Sequence, residues 1–160
     1  MAHGIFRSDS CSYTHDGALI RTIEAYGDID NGAPVVLGGL ATAGTFAGER
    51  EVFVSSAATG AAAADVWVVT TPEHAYTTDM KPLENFYNAS GDIARACKLV
   101  TADIFSITDA VCSGTPNATN CYIAASAGCW SVGSTTTKAF GKLLNTEVVG
   151  GKTFYVYEVL

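Results

Sequence analysis

The stretch Lys152-Thr-Phe-Tyr-Val-Tyr-Glu-Val-Leu160 decides the fold of this chain more clearly than any other. Its β-branched and aromatic residues favour a β-strand, and the preceding Gly150-Gly151 pair favours a tight turn. A strand at this end of the chain has to be hydrogen-bonded into a sheet, because a free terminus frays. We therefore expect Thr153 to Val159 to complete a sheet that the rest of the chain builds.

Short apolar segments separated by turn residues recur along the rest of the chain. Asp28 to Gly32 is a turn signal, because Asn31-Gly32 accepts a positive φ at little cost. Helical signals are confined to 82–87 and to the Ala-rich segment 57–64, which we interpret as a loop. The pattern predicts a mainly β fold class, a small β-barrel or β-sandwich with long loops and at most one or two short helices. The other predicted strands cover 19–25, 35–37, 51–55, 65–70, 93–100, 104–108, 121–124 and 142–146.

The length of 160 residues fits a single mainly β domain over 1–160. A division into two β halves, about 1–71 and 91–160, joined by a loop-rich connector over 72–90, is the alternative. Ala25-Tyr-Gly-Asp-Ile29 resembles Ala89-Ser-Gly-Asp-Ile93, as a repeat would require. We favour a chance likeness between two turn sequences.

The chain is acidic and poor in charge. Its net charge is −7, and nine basic residues are scattered singly, so no basic patch indicates nucleic acid or an anionic membrane as a partner. Charged residues make up 16% of the chain, against about 25% in an average domain. Residues 110–146 contain no Asp or Glu, which fits either an uncharged loop region or a face that packs against another subunit.

The N-terminal sequence lacks the basic and apolar regions of a signal peptide, and no segment has 18 consecutive apolar residues. We therefore expect the protein to fold in a cytoplasm, where thiols stay reduced. Its five cysteines are then mostly buried thiols. A disulfide between Cys112 and Cys121, which flank a loop-like stretch, stays open as a hypothesis.

No motif in the sequence identifies a catalytic, metal or cofactor site. The histidines, His3, His15 and His74, lie in turn-like or terminal segments, and a dyad of Cys11 with His15 has no nucleophile motif around it. The Asp28 to Gly32 segment lacks the remaining ligands of a calcium loop. We accordingly predict no catalytic, metal-binding or cofactor-binding residues.

The two tryptophans differ in their surroundings. Trp67 lies within the apolar run 65–70 and is predicted to be a core residue. Trp130 lies in a polar stretch between Cys129 and Ser131. It is therefore either an exposed anchor for a partner or a sugar, or a member of a smaller core.

Several segments together resemble a known class of proteins. The turn and strand Asp30-Asn-Gly-Ala-Pro-Val-Val-Leu-Gly38, the pattern Gly91 to Leu99 followed by Asp103 to Thr108, and the closing Gly151 to Val159 carry the resemblance. In its order of turns and short apolar strands, the chain resembles tailed-phage head decoration (cement) proteins and related auxiliary structural proteins of the virion.

The resemblance implies a protein without enzymatic activity that binds the outer surface of an icosahedral phage capsid and stabilises it. Its partner would be the major capsid protein, and it would itself be a homo-oligomer, with a trimer favoured. It would be made in the host cytoplasm and carried in the virion. By the same resemblance, Ile5, Phe6 and Arg7 would belong to an N-terminal arm that binds the capsid; the alternative is that they form the first strand of the protein's own sheet.

Two other functions remain open from the sequence. One is a structural component of the phage tail or of the head–tail connection. The other is a carbohydrate-binding β module, with Trp130 and surface tyrosines as its platform. An enzyme is the least supported class, because no catalytic constellation is present in the sequence.

Overall fold

We analysed a computed structural model that describes residues 3–73 and 85–160. The predicted mainly β class is confirmed, since this part of the chain contains twelve strands, and its helical structure consists of single 3-10 turns. The turns cover Ser12–Thr14, Gly17–Leu19, Ala63–Asp65 and Asp109–Val111. The strands are β1 Phe6–Ser10, β2 Ile20–Glu24, β3 Pro34–Leu40, β4 Val52–Ala57, β5 Val66–Val69, β6 Ile93–Cys97, β7 Ile104–Thr108, β8 Cys112–Ser113, β9 Tyr122–Ser126, β10 Cys129–Gly133, β11 Gly141–Val149 and β12 Lys152–Val159. The predicted helical segment 82–87 begins outside the described residues.

Five strands form a closed barrel in the order β2-β4-β3-β5-β6. All of its pairs are antiparallel except β2 with β4. Small and β-branched side chains fill the interior, as the narrow bore of a five-stranded barrel requires. These interior residues are Ile23, Ala25, Ile29, Ala33, Val35, Val69, Ala94 and Ala96.

The other seven strands form one sheet in the order β1-β7-β12-β11-β9-β10-β8. β12 lies inside this sheet, because it pairs with β11 on one side and with β7 on the other. The preceding turn has positive φ at both Gly150 and Gly151, +59° and +77°, which glycine adopts without strain. The prediction that Thr153 to Val159 completes a sheet is confirmed.

The barrel packs against the sheet through β5 and β6. Val66 and Val68 alternate with Trp67 and Val69 along β5, so the first pair faces the sheet while the second faces the barrel interior. Val66, Val68 and Val69 are almost completely buried. Trp67 packs against the barrel core but is partly exposed, because it lies at one end of the barrel.

The two sheets do not follow the alternative boundary of 1–71 and 91–160. β6 closes the barrel by pairing with β2, whereas β1 pairs with β7 in the seven-stranded sheet. The two similar segments at 25–29 and 89–93 lie side by side: Ala25 N donates to Asp92 O at 2.9 Å, and Gly91 N donates to Ala25 O at 2.8 Å. Their likeness therefore belongs to two turns that bond to each other beside the barrel.

Candidate functional site

Trp130 is completely buried, so the prediction of an exposed anchor is wrong; it is a core residue, but it lies in the main core and not in a smaller one. The residue lies on β10, where alternation turns Cys129 and Ser131 away from the core and Trp130 into it. Its ring centroid lies 4.8 Å from that of Phe140. A sugar platform built on Trp130 is therefore ruled out by its burial.

The N-terminal residues form part of the protein's own sheet. Ile5 is 5% exposed, and its backbone N–H donates to Thr108 Oγ1 at 3.0 Å. Phe6 begins β1, where it pairs with Ile107 and packs against the main core. Because these two apolar side chains pack within the molecule, the first-strand alternative is confirmed, and they do not form a separate arm.

Arg7 makes internal contacts as well. Its Nη2 atom lies 2.9 Å from Asp9 Oδ1 and 3.1 Å from Glu147 Oε2. The guanidinium also lies over Phe154, with Cζ 5.0 Å from the ring centroid. Hydrogen bonding to Asp9 is the largest influence that raises the pKa of Arg7. The residue therefore ties β1 to the β11–β12 hairpin.

Neither described histidine, His3 or His15, lies beside a cysteine with a lowered pKa. His3 Nδ1 lies 2.6 Å from Asp30 Oδ1, and the imidazole stacks on Tyr87 with centroids 4.8 Å apart. Burial raises the pKa of Cys11 to about 12, so the thiol next to the His15 turn stays protonated at neutral pH. His74 lies outside the described residues.

The cleft that contains His3 also holds a cysteine, Cys129. This cleft has a volume of about 390 Å³ and lies between the barrel and the seven-stranded sheet. The Cys129 thiol donates to Ser126 O at 3.1 Å, and burial raises its pKa. The cysteine is therefore engaged as a neutral donor, which does not suit nucleophilic catalysis.

All five cysteines are free thiols, so Cys112 and Cys121 do not form the disulfide that the sequence left open. Cys112 begins β8, which pairs with β10, and burial raises its pKa to about 12. Within residues 3–73 and 85–160, no three His, Cys, Asp or Glu side chains come together as metal ligands. The turn at Asp28 to Gly32 instead connects β2 and β3, with Gly32 at φ +87°.

The outer half of β11 is the most exposed apolar part of the described chain. Among the described residues, β11 pairs with β9 at Gly141 and Lys142 and bonds to Cys121 O through Leu143 N, and from Leu144 onward its only partner strand is β12. Val148 is 73% exposed, while Leu144 and Val149 are 49% and 50% exposed. We call residues 144–149 the β11 edge. An unpaired apolar edge of this kind is a surface on which another chain can add a strand.

A second feature lies at the end of the barrel where Trp67 is partly exposed. The Arg21 guanidinium lies against two aromatic rings, with Cζ 5.9 Å from the centroid of Phe53 and 5.6 Å from that of Trp67. Lys98 Nζ lies 5.6 Å from the same Trp67 ring. Sequence reasoning missed this cluster, because its members are isolated in the sequence and only the barrel brings them together.

Comparison with known proteins gives no relative: no protein-family model, no curated protein and no solved structure matches the chain. Among the described residues, no helix has the length and apolar character needed to cross a membrane.

Proposed function

We propose that this protein is a structural component of a tailed-phage head that binds the outer surface of the capsid and stabilises it. The observation that carries the proposal is the β11 edge, which combines backbone groups that have no partner strand among the described residues with exposed Leu144, Val148 and Val149. A protein that acts alone usually protects such an edge with charges, prolines or a covering segment. Within residues 3–73 and 85–160 nothing covers Val148 and Val149, and the one charged residue of the edge, Glu147, is paired with Arg7, which fits a permanent partner.

The energetics of this edge suit a partner that presents many copies of one site. Complete burial of a Val or Leu side chain contributes roughly 1.5–3 kcal/mol. Backbone hydrogen bonds between β11 and a partner strand would in addition fix the alignment of the two strands. One edge would thus bind a shell subunit with modest affinity. A homo-oligomer, and in particular a trimer, would engage several subunits of the major capsid protein at once and would bind far more tightly through avidity.

The low charge of the chain supports the same proposal. Charges are costly to remove from water unless they find partners in the interface. Within residues 144–149 the one charged residue is Glu147, and it already pairs with Arg7. The edge can therefore be covered by a protein surface without leaving a new unpaired charge.

A pelleting experiment with expanded empty capsids of the phage that encodes the chain tests the proposal. We expect the wild-type protein to sediment with the shells and the double variant Val148→Ser, Val149→Ser to stay largely in the supernatant. The matched control is Val54→Ser, because Val54 is an exposed valine, at 46%, on the barrel strand β4. If the wild-type protein does not sediment with the shells, the proposal is wrong.

The oligomeric state is a separate test of the same proposal. Native mass spectrometry of the purified wild-type protein should give the mass of three chains. Density at the portal vertex or along the tail in virions, with none on the shell, would instead favour the alternative of a tail or head–tail component.

A further inference from the structure

Three cations and two aromatic side chains line two adjoining clefts at one end of the barrel, which we call the barrel mouth: Arg21, Arg50, Phe53, Trp67 and Lys98. Alternation along the strands places them there. Arg21 precedes the interior residue Ile23 by two positions and so shares its face, one step nearer the end of the barrel. Trp67 stands in the same relation to Val69 on β5.

The Arg21 guanidinium is held in place but keeps donor capacity. Its Nη1 atom donates to Ala18 O at 2.9 Å and to Ile20 O at 2.8 Å. Within the described ranges 3–73 and 85–160, the ion pairs involve His3 and Arg7, and Arg21 has no carboxylate partner. A guanidinium that is fixed by backbone carbonyls and flanked by aromatic rings is preorganised to bind a carboxylate.

Lys98 provides a second cation beside the Trp67 ring, in the same cleft as Arg21. Its Nζ atom donates to Val66 O at 3.0 Å and also to Ala64 O. Burial lowers the pKa of Lys98, and the nearby Asp65 partly opposes this effect. A bound anion would stabilise the charged form of this partly desolvated ammonium group.

The cleft itself combines this charge with an apolar wall. It has a volume of about 510 Å³ and is lined by Leu19, Val36, Leu37 and Trp67 beside the two cations. An adjoining cleft of about 390 Å³ shares Arg21 and contains Arg50 and Phe53. Asp65 borders the first cleft and Glu51 the second, so three cations and two carboxylates leave one net positive charge at the mouth.

We propose that the barrel mouth binds a sugar that carries a carboxylate, as a uronic acid does. The carboxylate would lie between Arg21 and Lys98, and the C–H face of the sugar ring would contact the apolar wall beside Trp67. Asp65 and Glu51 disfavour ligands with a higher density of negative charge, such as phosphates. This site is separate from the β11 edge and does not depend on the capsid-binding proposal.

Titration of the ¹⁵N-labelled protein with glucuronate, followed by NMR, tests this site. The chain has two tryptophans, so the two indole N–H signals report on the mouth and on the core at the same time. Glucuronate should shift the Trp67 signal saturably, while the Trp130 signal, which is buried and hydrogen-bonded to Gly32 O, should stay in place. Glucose, which has the same ring without the carboxylate, should cause no saturable shift, and acetate should bind more weakly than glucuronate.

Two variants check the roles of the cations. Lys98→Gln should weaken glucuronate binding on the order of tenfold, as expected when one charged hydrogen bond is lost. Lys142→Gln, which removes an exposed cation on β11, should leave binding unchanged. Arg21→Gln is a second variant, and its unchanged Trp130 signal would show that it is folded.

Four results would overturn the proposal. These are the absence of a Trp67 response to glucuronate, an equal response to glucose, unchanged affinity in both mouth variants, and acetate binding as tight as glucuronate binding. The last result would leave a simple anion site without sugar contact. Each of these failures would leave the result of the capsid pelleting experiment unaffected.

Discussion

Trp130 Nε1 donates a hydrogen bond of 2.7 Å to the backbone carbonyl of Gly32, and this bond joins the seven-stranded sheet to the turn between β2 and β3 of the barrel. The N–H of the same glycine donates to Val69 O at 2.7 Å on β5. Gly32 is therefore bonded to both sheets at once. The indole is fully buried, so water cannot replace the Gly32 carbonyl as its acceptor without rearrangement of the core.

Replacement of Trp130 by Phe should destabilise the protein through this bond. The substitution leaves the Gly32 carbonyl without its donor and removes part of a large buried ring, so we expect a loss of roughly 2–4 kcal/mol in the free energy of unfolding. Urea denaturation measures this change. Trp67→Phe is the matched control, because Trp67 is partly exposed and its indole N–H makes no comparable bond to Gly32. Equal stability of the two variants would contradict the role assigned to Trp130.

Gly32 is expected to be intolerant of a side chain. Its φ of +87° is strained for other residues, and a Cβ atom would come within 2.9 Å of Ile107 Cγ2. Gly32→Ala should therefore lower the free energy of unfolding by about 1–2 kcal/mol or more. Gly27→Ala is the control, because a Cβ atom at Gly27 meets nothing within 4 Å. If thermal melting of the two variants is the same, the tight junction at Gly32 is refuted.

The protein should lose stability at alkaline pH through its buried thiols. Burial raises the pKa of Cys97 from 9.0 to about 12 in the folded protein. Below pH 9 the thiol is protonated in both states and has no effect; above pH 9 it ionises only in the unfolded state, which is thereby favoured. The free energy of unfolding should fall as pH rises from about 9 toward 12, by up to about 1.4 kcal/mol per pH unit for each such thiol.

Denaturation curves of Cys97→Ala across this pH range isolate the effect of one thiol. The variant should be less stable than the wild type at pH 7 because of the lost packing. Above pH 9 its free energy of unfolding should fall less steeply with pH, because one fewer proton is released when the molecule unfolds. Parallel curves for the two proteins would show that Cys97 does not titrate in this way.

β12 should be among the last segments to exchange its amide protons. Residues Thr153 to Val159 lie between β7 and β11, and their backbone groups bond on both sides. Amides of the β11 edge that point away from β12 have no partner strand among the described residues, so they should exchange early. Hydrogen–deuterium exchange with mass spectrometry resolves the two segments. Rapid exchange across β12 would contradict its inner position in the sheet.

Local patterns in the sequence predict much of the sheet structure. Nine predicted strands, including 65–70 and 153–159, correspond to strands of the structure, because alternation and turn glycines are local signals. β10 was not predicted, since Cys129 to Gly133 is short and lies among polar residues. β8 has only two residues, and such a strand has no pattern of its own.

The barrel and its mouth could not be predicted in the same way. Closure depends on the parallel pairing of β2 with β4 and on β6 returning to β2, and these long-range contacts leave no signature in either strand alone. Arg21 and Lys98 are far apart in the sequence and each looked like an isolated surface charge. The exposed β11 edge was likewise hidden, because its apolar residues 148 and 149 resemble those of any paired strand.

Cryo-electron microscopy of expanded capsids with the bound protein tests the central claim most directly. We predict density for this chain on the outside of the shell, with the β11 edge, residues 144–149, against the major capsid protein. Bare shells at saturating protein concentration, or bound protein whose β11 edge faces solvent, would contradict the account.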